Sequence, residues 1–217
     1  MESAVLEAYG RRFDVCVPDD DHIGKRLSAG NWYERDLLED FRKRIPARGM
    51  ALDIGAHIGN HTLWMAGICD LQVIAIEPNP ATFALLVENV KSNGLDDQVD
   101  CYHMAAGSEP ARASLVEECE GNSGMVRTVI DSKGAVEVMT VDGLGLESLA
   151  VMKIDTEGSE LAVLEGAKET IARCHPIIYV ETAVGGGADA WLLAAGYQSF
   201  GRFCWTPTWG YEWRGPA

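Results

Sequence analysis

From residue 50 onward, short apolar runs alternate with segments of helical spacing. MALDI (50–54), QVIAIE (72–77), VDCYHMA (99–105), VMKID (151–155) and IIYVE (177–181) each have the length and content of one buried strand. HTLWMAGI after the first run has helical spacing. Residues 81–93 put Phe83, Leu86, Val87 and Val90 on one face before Asn93-Gly94 stops the helix. SELAVLEGAKETI, between the last two runs, does the same with Leu161, Leu164, Ala167 and Ile171. A chain with this rhythm buries both faces of a sheet by joining parallel strands through right-handed crossovers. The predicted fold class is α/β, with a doubly wound sheet.

Three stretches depart from the rhythm. Residues 107–142 hold ASLVEE, a GNSG turn and VEVMTVD, which read as short β pieces elaborating the sheet. After Gly196, YQSFGRF and WGYEWRG alternate as an antiparallel hairpin at a sheet edge would. Ahead of residue 49, RRFDVCVP predicts a strand, DDDHIGKRLSAGN a polar loop, and WYERDLLEDFRKRI an amphipathic helix ending before Pro46. This N-terminal helical cover, residues 1–48, is expected to lie across the top of the sheet, in the same domain as residues 49–217.

Composition narrows the partners. A formal net charge of −15 over 217 residues argues against a nucleic acid, whose groove needs clustered Lys and Arg. The run RKR at 42–44 sits on the amphipathic segment and reads as a solvated helix face. No apolar stretch approaches the ~18 residues of a membrane span, and MESAVLEAYGRR lacks the pattern of a secretory signal. Six cysteines with no C-x-x-C pair fit a reduced, cytoplasmic protein.

The turn after the first run, ALDIGAHIGN, is more polar than a simple reversal requires. Glycines there let a backbone approach a ligand at the carboxyl end of an open α/β sheet, where the strand order reverses. Glu77 ends the second strand 24 residues after Asp53, in AIEPNP, where a carboxylate can accept from both hydroxyls of an adenosine ribose. Pro78 and Pro80 stiffen the loop that follows, with Asn79 as a candidate cap for the next helix. The spacing G-A-H-I-G lacks the third glycine of a dinucleotide turn, which disfavours a nicotinamide-dependent oxidoreductase.

Taken together, four motifs carry a resemblance. DIGAHIGNHT, IEPNP with its trailing phenylalanine and NV-x-x-N, AAG at 105–107, and KIDTEGSELAVLEGA resemble the FkbM-type family of class I S-adenosylmethionine-dependent methyltransferases, over about residues 30–182. The KID-x-EG-x-E run is the most specific part. The resemblance implies a Rossmann-like class I methyltransferase sheet, S-adenosylmethionine as cofactor, and methylation of a hydroxyl on a sugar, glycolipid or natural product. It places Asp53, Gly55, Ala56, His57, Gly59 and Asn60 around the methionine end of the cofactor. It places Glu77 on the ribose with Pro78 and Asn79 beside it, and Ala105 and Ala106 along the adenine. His57 departs from the family, whose members often carry Asn there.

Methyl transfer to a hydroxyl also needs a proton acceptor. Asp155 ends the fourth strand, Glu157 follows in the loop, and Glu181 ends the fifth strand, all at the rim that holds Asp53 and Glu77. Crowded carboxylates raise one another's pKa, which makes Asp155, Glu157, Glu181 and His57 the catalytic candidates. Asp155 and Glu181 are also the candidate ligands for a Mg²⁺ that would bind the acceptor oxygen. Glu160 is expected to complement the helix N-terminus that follows, and His61 either touches backbone or solvent in a helix's first turn or stands there as a neutral imidazole able to act as a base. Trp205, Trp209, Tyr211 and Trp213 either stack on a small-molecule acceptor or pack the edge hairpin. An N- or protein-methylating enzyme and a catalytically silent S-adenosylmethionine-binding domain remain open alternatives, as does the oligomeric state.

Overall fold

In a computed structural model of the protein, residues 2–18, 22–117 and 126–215 are described. The elements, in chain order, are β1 (Glu2–Ala8), β2 (Arg11–Val17), α1 (His22–Ser28), α2 (Arg35–Arg44), β3 (Met50–Ile54), α3 (Asn60–Gly67), β4 (Gln72–Ile76), α4 (Pro80–Ser92) and β5 (Val99–Tyr102). Then come β6 (Ala105–Ala106), β7 (Ala111–Glu117), β8 (Val126–Ile130), β9 (Val136–Met139), β10 (Val151–Ile154), α5 (Glu160–Glu165), α6 (Lys168–Cys174), β11 (Ile177–Glu181), α7 (Gly187–Ala194), β12 (Tyr197–Phe203) and β13 (Thr208–Trp213). A seven-stranded sheet runs in the order β12-β13-β11-β10-β3-β4-β5. Strands β3, β4, β5, β10 and β11 are parallel, while β13 runs antiparallel to both β11 and β12. The chain winds outward from β3 in one direction and from β10 in the other, so the switch point lies between them. This is the expected doubly wound sheet with its C-terminal edge hairpin.

Alternate residues of each central strand serve different faces. Leu52, Ile54, Ile74, Ile76, Met152 and Ile154 pack with Val163, Leu164 and Ile171 on one side. Ala51, Val73, Ala75, Val151 and Tyr179 pack with Leu37, Phe41, Leu63, Trp64 and Leu86 on the other. Burying each Leu, Ile or Phe side chain stabilises by about 1.5–3 kcal/mol, so a strand buried on both faces reads as a continuous apolar run.

Four expectations need correction. The third run is not one strand: β5 stays in the main sheet, and Ala105–Ala106 belong to a second sheet of order β6-β9-β7-β8. The helix expected across 159–171 is two, α5 and α6. Gly166 separates them because a Cβ there would lie 2.0 Å from the Gly107 carbonyl oxygen, so the two segments approach backbone to backbone. The polar stretch expected as a loop contains α1, whose Leu27 is fully buried. The GNSG turn at 121–124 lies outside the described residues.

The fourth correction concerns the cover. The N-terminal residues form an antiparallel hairpin, β1 with β2, packed against α3 and α4 beside the sheet and not across its top. Trp32 meets Phe13 and Trp64 edge to face, each with ring centroids 5.1 Å apart. The outer edge of β2 is closed by side-chain amides of α4. Asn89 Oδ1 accepts from the Cys16 N–H at 2.6 Å and Nδ2 donates to the Cys16 carbonyl at 3.0 Å. One helical turn on, Asn93 treats Asp14 the same way, at 3.0 and 2.8 Å. The spacing works because four residues of helix rise about 6 Å and two residues of strand about 6.8 Å. The NV-x-x-N motif thus acts as a surrogate strand on an otherwise open edge.

Asn89 is fully buried and also donates to the Ile58 carbonyl at 2.8 Å. Asn89→Ala strips partners from three backbone groups and is expected to destabilise by about 2–3 kcal/mol. Asn93→Ala, on the more exposed turn, should lose about 1 kcal/mol or less. Urea-denaturation midpoints of the two variants check this order.

Candidate functional site

Lys153 organises the switch point. Its side chain is 3% exposed, and Nζ donates to the Gly55 carbonyl at 3.0 Å. The same ammonium stands 3.5 Å from Asp53 Oδ1 and 3.4 Å from Asp155 Oδ2. Burial alone would lower its pKa, but Asp155 and Asp53 outweigh that and raise it, so it stays charged. Gly55, at φ +78°, completes the junction. A Cβ there would fall 1.7 Å from the Asp155 carbonyl oxygen, so this crossing of β3 and β10 admits glycine alone.

Above the junction opens a cavity of about 270 Å³. Of the residues anticipated from sequence, Gly55, His57, Glu77, Pro78, Asn79, Ala105, Ala106, Asp155, Glu157 and Glu181 line it. Asp53, Ala56, Gly59 and Asn60 do not, and each has another task. Asp53 is fully buried, with Oδ2 accepting from Thr62 Oγ1 at 2.6 Å and Oδ1 facing Lys153. Ala56 lies beneath the turn, its N–H bonded to the Ile76 carbonyl. Gly59 starts α3 against Leu86. Asn60 clamps the backbone of Tyr33, accepting from its N–H at 3.2 Å and donating to its carbonyl at 3.1 Å.

The lining includes the apolar side chains of Ile54, Ile76, Ala105 and Ala106 together with Glu77. Glu77 Oε1 accepts from the Asn79 N–H and Thr82 Oγ1, at 2.8 and 2.9 Å. Oε2 accepts from the His57 N–H at 2.8 Å. A carboxylate offers about four acceptor positions, so Glu77 is fixed in place and keeps capacity for a ligand hydroxyl. Asn79 caps α4 as anticipated, accepting from the Ala81 N–H at 3.0 Å.

The lining also brings three acidic side chains together. Asp155, Glu157 and Glu181 each bring a carboxylate oxygen within 4.8 Å of the others, so the candidate cation ligands number three and not two. Burial, the hydrogen bond with Asp155 and the negative charges of Asp155 and Glu157 push the Glu181 pKa up to about 9. Burial opposes the Asp155 carboxylate as well, yet Lys153 and the bond from Glu181 hold it below its ordinary range. At neutral pH the pair is therefore an ionised Asp155 accepting the proton of Glu181. Glu160 belongs to the loop, not the pair: Oε1 accepts from Thr156 N, Thr156 Oγ1 and Gly158 N at 3.2, 3.1 and 2.9 Å.

Several wall residues carried no signal in the sequence. Tyr33, Glu34, His22 and Ile23 reach the cavity from the N-terminal segment, Val126 and Thr128 from β8, and Thr206 from the β12–β13 turn. Burial, then the charges of Glu34 and Asp155, raise the Tyr33 pKa and keep its phenol protonated. His61 faces neither solvent nor the cavity. It is buried, with Nε2 3.0 Å from Glu34 Oε2. Tyr33 and Glu34 open the amphipathic segment WYERDLLEDFRKRI, whose pattern does not say which side of the sheet its first residues reach. Among the C-terminal aromatics, Tyr211 is buried and donates to Asp189 Oδ1 at 2.7 Å, and Trp213 stacks on His175. Trp205 is 96% exposed beside Thr206. The basic run at 42–44 is exposed, as a solvated helix face is, with Arg42 paired to Glu39 and over Tyr9 and Arg44 paired to Asp40 and over Phe200. Among the described residues no helix is long and apolar enough to cross a membrane, and five cysteines are free thiols; Cys119 lies outside them.

Comparison with known proteins places the chain. The sequence model of the methyltransferase FkbM domain matches residues 53–199. Hexuronic acid methyltransferase AglP of Haloferax volcanii is 27% identical over 153 residues, which cover 67% of this chain and 61% of that protein. The matched region thus spans about three fifths of that relative's length. The crystal structure of methyltransferase FkbM from Methylobacillus flagellatus shares the fold, with a TM-score of 0.55 at 17% identity over 90% of this chain and 56% of that one. Precorrin-6y C5,15-methyltransferase from Geobacter metallireducens shares it too, with a TM-score of 0.54 at 13% identity over 93% and 94% of the two chains. With a family match that begins at Asp53 on β3 and covers more than half of the chain, this chain belongs to the methyltransferase FkbM domain family.

Proposed function

We propose that this protein transfers a methyl group from S-adenosylmethionine to a hydroxyl of a sugar or related small molecule. The observation that carries the reading is one cavity lined by the apolar Ile54, Ile76, Ala105 and Ala106, by Glu77, and by Asp155, whose carboxylate Lys153 holds below its ordinary range. The donor set fits the cofactor: Ala105 and Ala106 add small apolar side chains to the lining, Glu77 keeps acceptor capacity for a ribose hydroxyl, and the acidic side chains of the lining suit a sulfonium. The family and the hexuronic acid relative support methyl transfer to a carbohydrate acceptor. Free cysteines and the lack of a described membrane-spanning helix are compatible with a reducing, aqueous compartment.

When bound, the cofactor supplies an electrophilic methyl whose bond to sulfur breaks with the electron pair left on sulfur. The chain's residues do the rest. Asp155 accepts a hydrogen bond from the acceptor hydroxyl, orients its lone pair toward the methyl, and takes the proton as the new C–O bond forms. Glu181 keeps its own proton and, by donating to Asp155, fixes that carboxylate. Lys153 holds Asp155 from behind, and Tyr33 and Glu34 close the cavity against water. In the rival route Asp155, Glu157 and Glu181 would hold a Mg²⁺, which would supply Lewis-acid activation of the acceptor hydroxyl. Unchanged activity in excess EDTA supports Asp155 as base, whereas loss restored by Mg²⁺ supports the metal.

Three outcomes test the reading. Calorimetric titration should give micromolar binding of S-adenosylmethionine and of its demethylated product, weakened about tenfold or more in Glu77→Gln through loss of a charged acceptor. No binding by the wild-type chain would overturn the proposal. Asp155→Asn should keep donor affinity within a few-fold while lowering kcat by about 100-fold or more, the range for a lost general base. Full turnover in that variant removes Asp155 from the mechanism. Glu181 has a native pKa raised from 4.5 to about 9, so its contribution to stability is full below pH 4.5 and declines as pH rises toward 9. Glu181→Gln keeps a donor for Asp155 without that proton. Its stability relative to wild type should rise across the same window, measured as urea midpoints at the two ends.

A further inference from the structure

We infer that Tyr33 and Glu34 hold the amino-acid head of the methyl donor, the phenol donating to its carboxylate and Glu34 accepting from its ammonium. The inference rests on the proposed function for the identity of the donor and assigns it two binding residues in the same cavity.

The chain around Tyr33 is fixed on three sides, which leaves the phenol as the part presented to the cavity. Trp32 is buried, and its indole N–H donates to the Glu7 carbonyl at 3.3 Å. Asn60 clamps both the N–H and the carbonyl of Tyr33. Glu34, whose side chain is 7% exposed, meets His61 Nε2 at 3.0 Å. Its backbone is left-handed, at φ +53°, which a residue other than glycine keeps when its surroundings impose it. Tyr33 lines the cavity, and among the described residues no group hydrogen-bonds its phenol oxygen. A protonated phenol in that state is a donor held ready for a ligand.

Residues 55–57 bridge the two ends of the proposed reaction: Gly55 abuts the Asp155 carbonyl, and the His57 N–H donates to Glu77 Oε2 at 2.8 Å. A donor with its ribose at Glu77 and its methyl toward Asp155 would have its sulfur over this bridge. Sulfur carries three substituents, so the amino-acid chain needs a wall of its own. Strand β8 does not supply it: a Cβ on Gly158 would meet Arg127 Nε at 3.8 Å, so β8 lies against the β10–α5 loop. The N-terminal segment does, because Asn60, which holds Tyr33, starts α3 directly after the bridge.

The head of the donor is a zwitterion. Among the described residues no Lys or Arg lines the cavity, so the wall meets a carboxylate with neutral donors. The Thr156 hydroxyl is spent on Glu160, at 3.1 Å. The Tyr33 phenol is not, and its bond to a carboxylate would be of the stronger, charge-assisted kind. The ammonium has Glu34 beside it. His61 and the Cys204 thiol bond that carboxylate, which offers about four acceptor positions and so keeps room for the ligand. Asn60 reaches the donor through Tyr33, as a positioning residue.

The test titrates the full chain calorimetrically with two ligands. S-adenosylhomocysteine carries the amino-acid head, and 5′-methylthioadenosine has the same nucleoside and sulfur without it. The wild-type chain should prefer the first by about tenfold or more. Tyr33→Phe removes one oxygen and no bond within the described protein, so its urea midpoint should match wild type. It should weaken S-adenosylhomocysteine about tenfold, as loss of a bond to a charged group does, and leave 5′-methylthioadenosine within about twofold. Glu34→Gln and Asn60→Ala should shrink the same preference by about threefold or more, a split that general loosening of the fold does not give. Where either fails to fold, Tyr33→Phe decides alone. An unchanged preference in any folded variant, or equal weakening of the two ligands, overturns the inference and leaves the proposed function standing. So does a wild-type chain that binds both ligands equally. A wild-type chain that binds neither sinks the proposed function and the inference together.

Discussion

A single buried ammonium holds the two halves of the doubly wound sheet in register at the place where they part. Lys153 sits on β10, reaches across to the Gly55 carbonyl at the end of β3, and lies between Asp53 and Asp155. An unpaired charge at that depth would be expensive, and removing one partner of such a group usually costs about 3–5 kcal/mol. The arrangement therefore fixes the side chains of both strand ends together. It also explains why Gly55 has no substitute: the strands approach until the Asp155 carbonyl occupies the space a Cβ would need. From that junction follow the position of Asp155 at the cavity floor and the sense in which its carboxylate points.

The same network sets the electrostatics of the cavity. Lys153 favours the ionised form of Asp155, and the ionised Asp155 in turn disfavours a second charge on Glu181. Two carboxylates of similar chemistry are driven apart in proton affinity by what stands behind each of them. Among the described residues Lys153 is the buried ammonium, and it is engaged by Gly55, Asp53 and Asp155.

The N-terminal segment contributes through edge satisfaction more than through covering. Asn89 and Asn93 close the outer edge of β2 with side-chain amides, which seats the hairpin on α4. Asn60 then clamps the Tyr33 backbone, and Glu34 meets His61, so the chain between α1 and α2 ends at the cavity mouth. Hydrogen-bonding groups that belong to three different motifs thus deliver Tyr33 and Glu34 to the same place.

The sequence determined the strands and the helices between them wherever apolar period and stop signals agreed, as at MALDI, QVIAIE and residues 80–92. It also marked the rim carboxylates Glu77, Asp155, Glu157 and Glu181, because strand ends in such a sheet share one side. Its motif reading assigned Asp53, Ala56, Gly59 and Asn60 to the cofactor, and the folded chain gives all four to the interior or to the backbone of Tyr33. Local pattern says which residues cluster in a turn and leaves open which of them face out, since that depends on partners far away in sequence. Lys153, the split at Gly166 and the seating of the hairpin share that property: each is decided by a group more than 50 residues distant, the Gly55 carbonyl, the Gly107 carbonyl and the Asn89 amide. Period and propensity act within about one turn of chain, whereas burying a charge or closing an edge is settled only when the tertiary structure brings its partner into place.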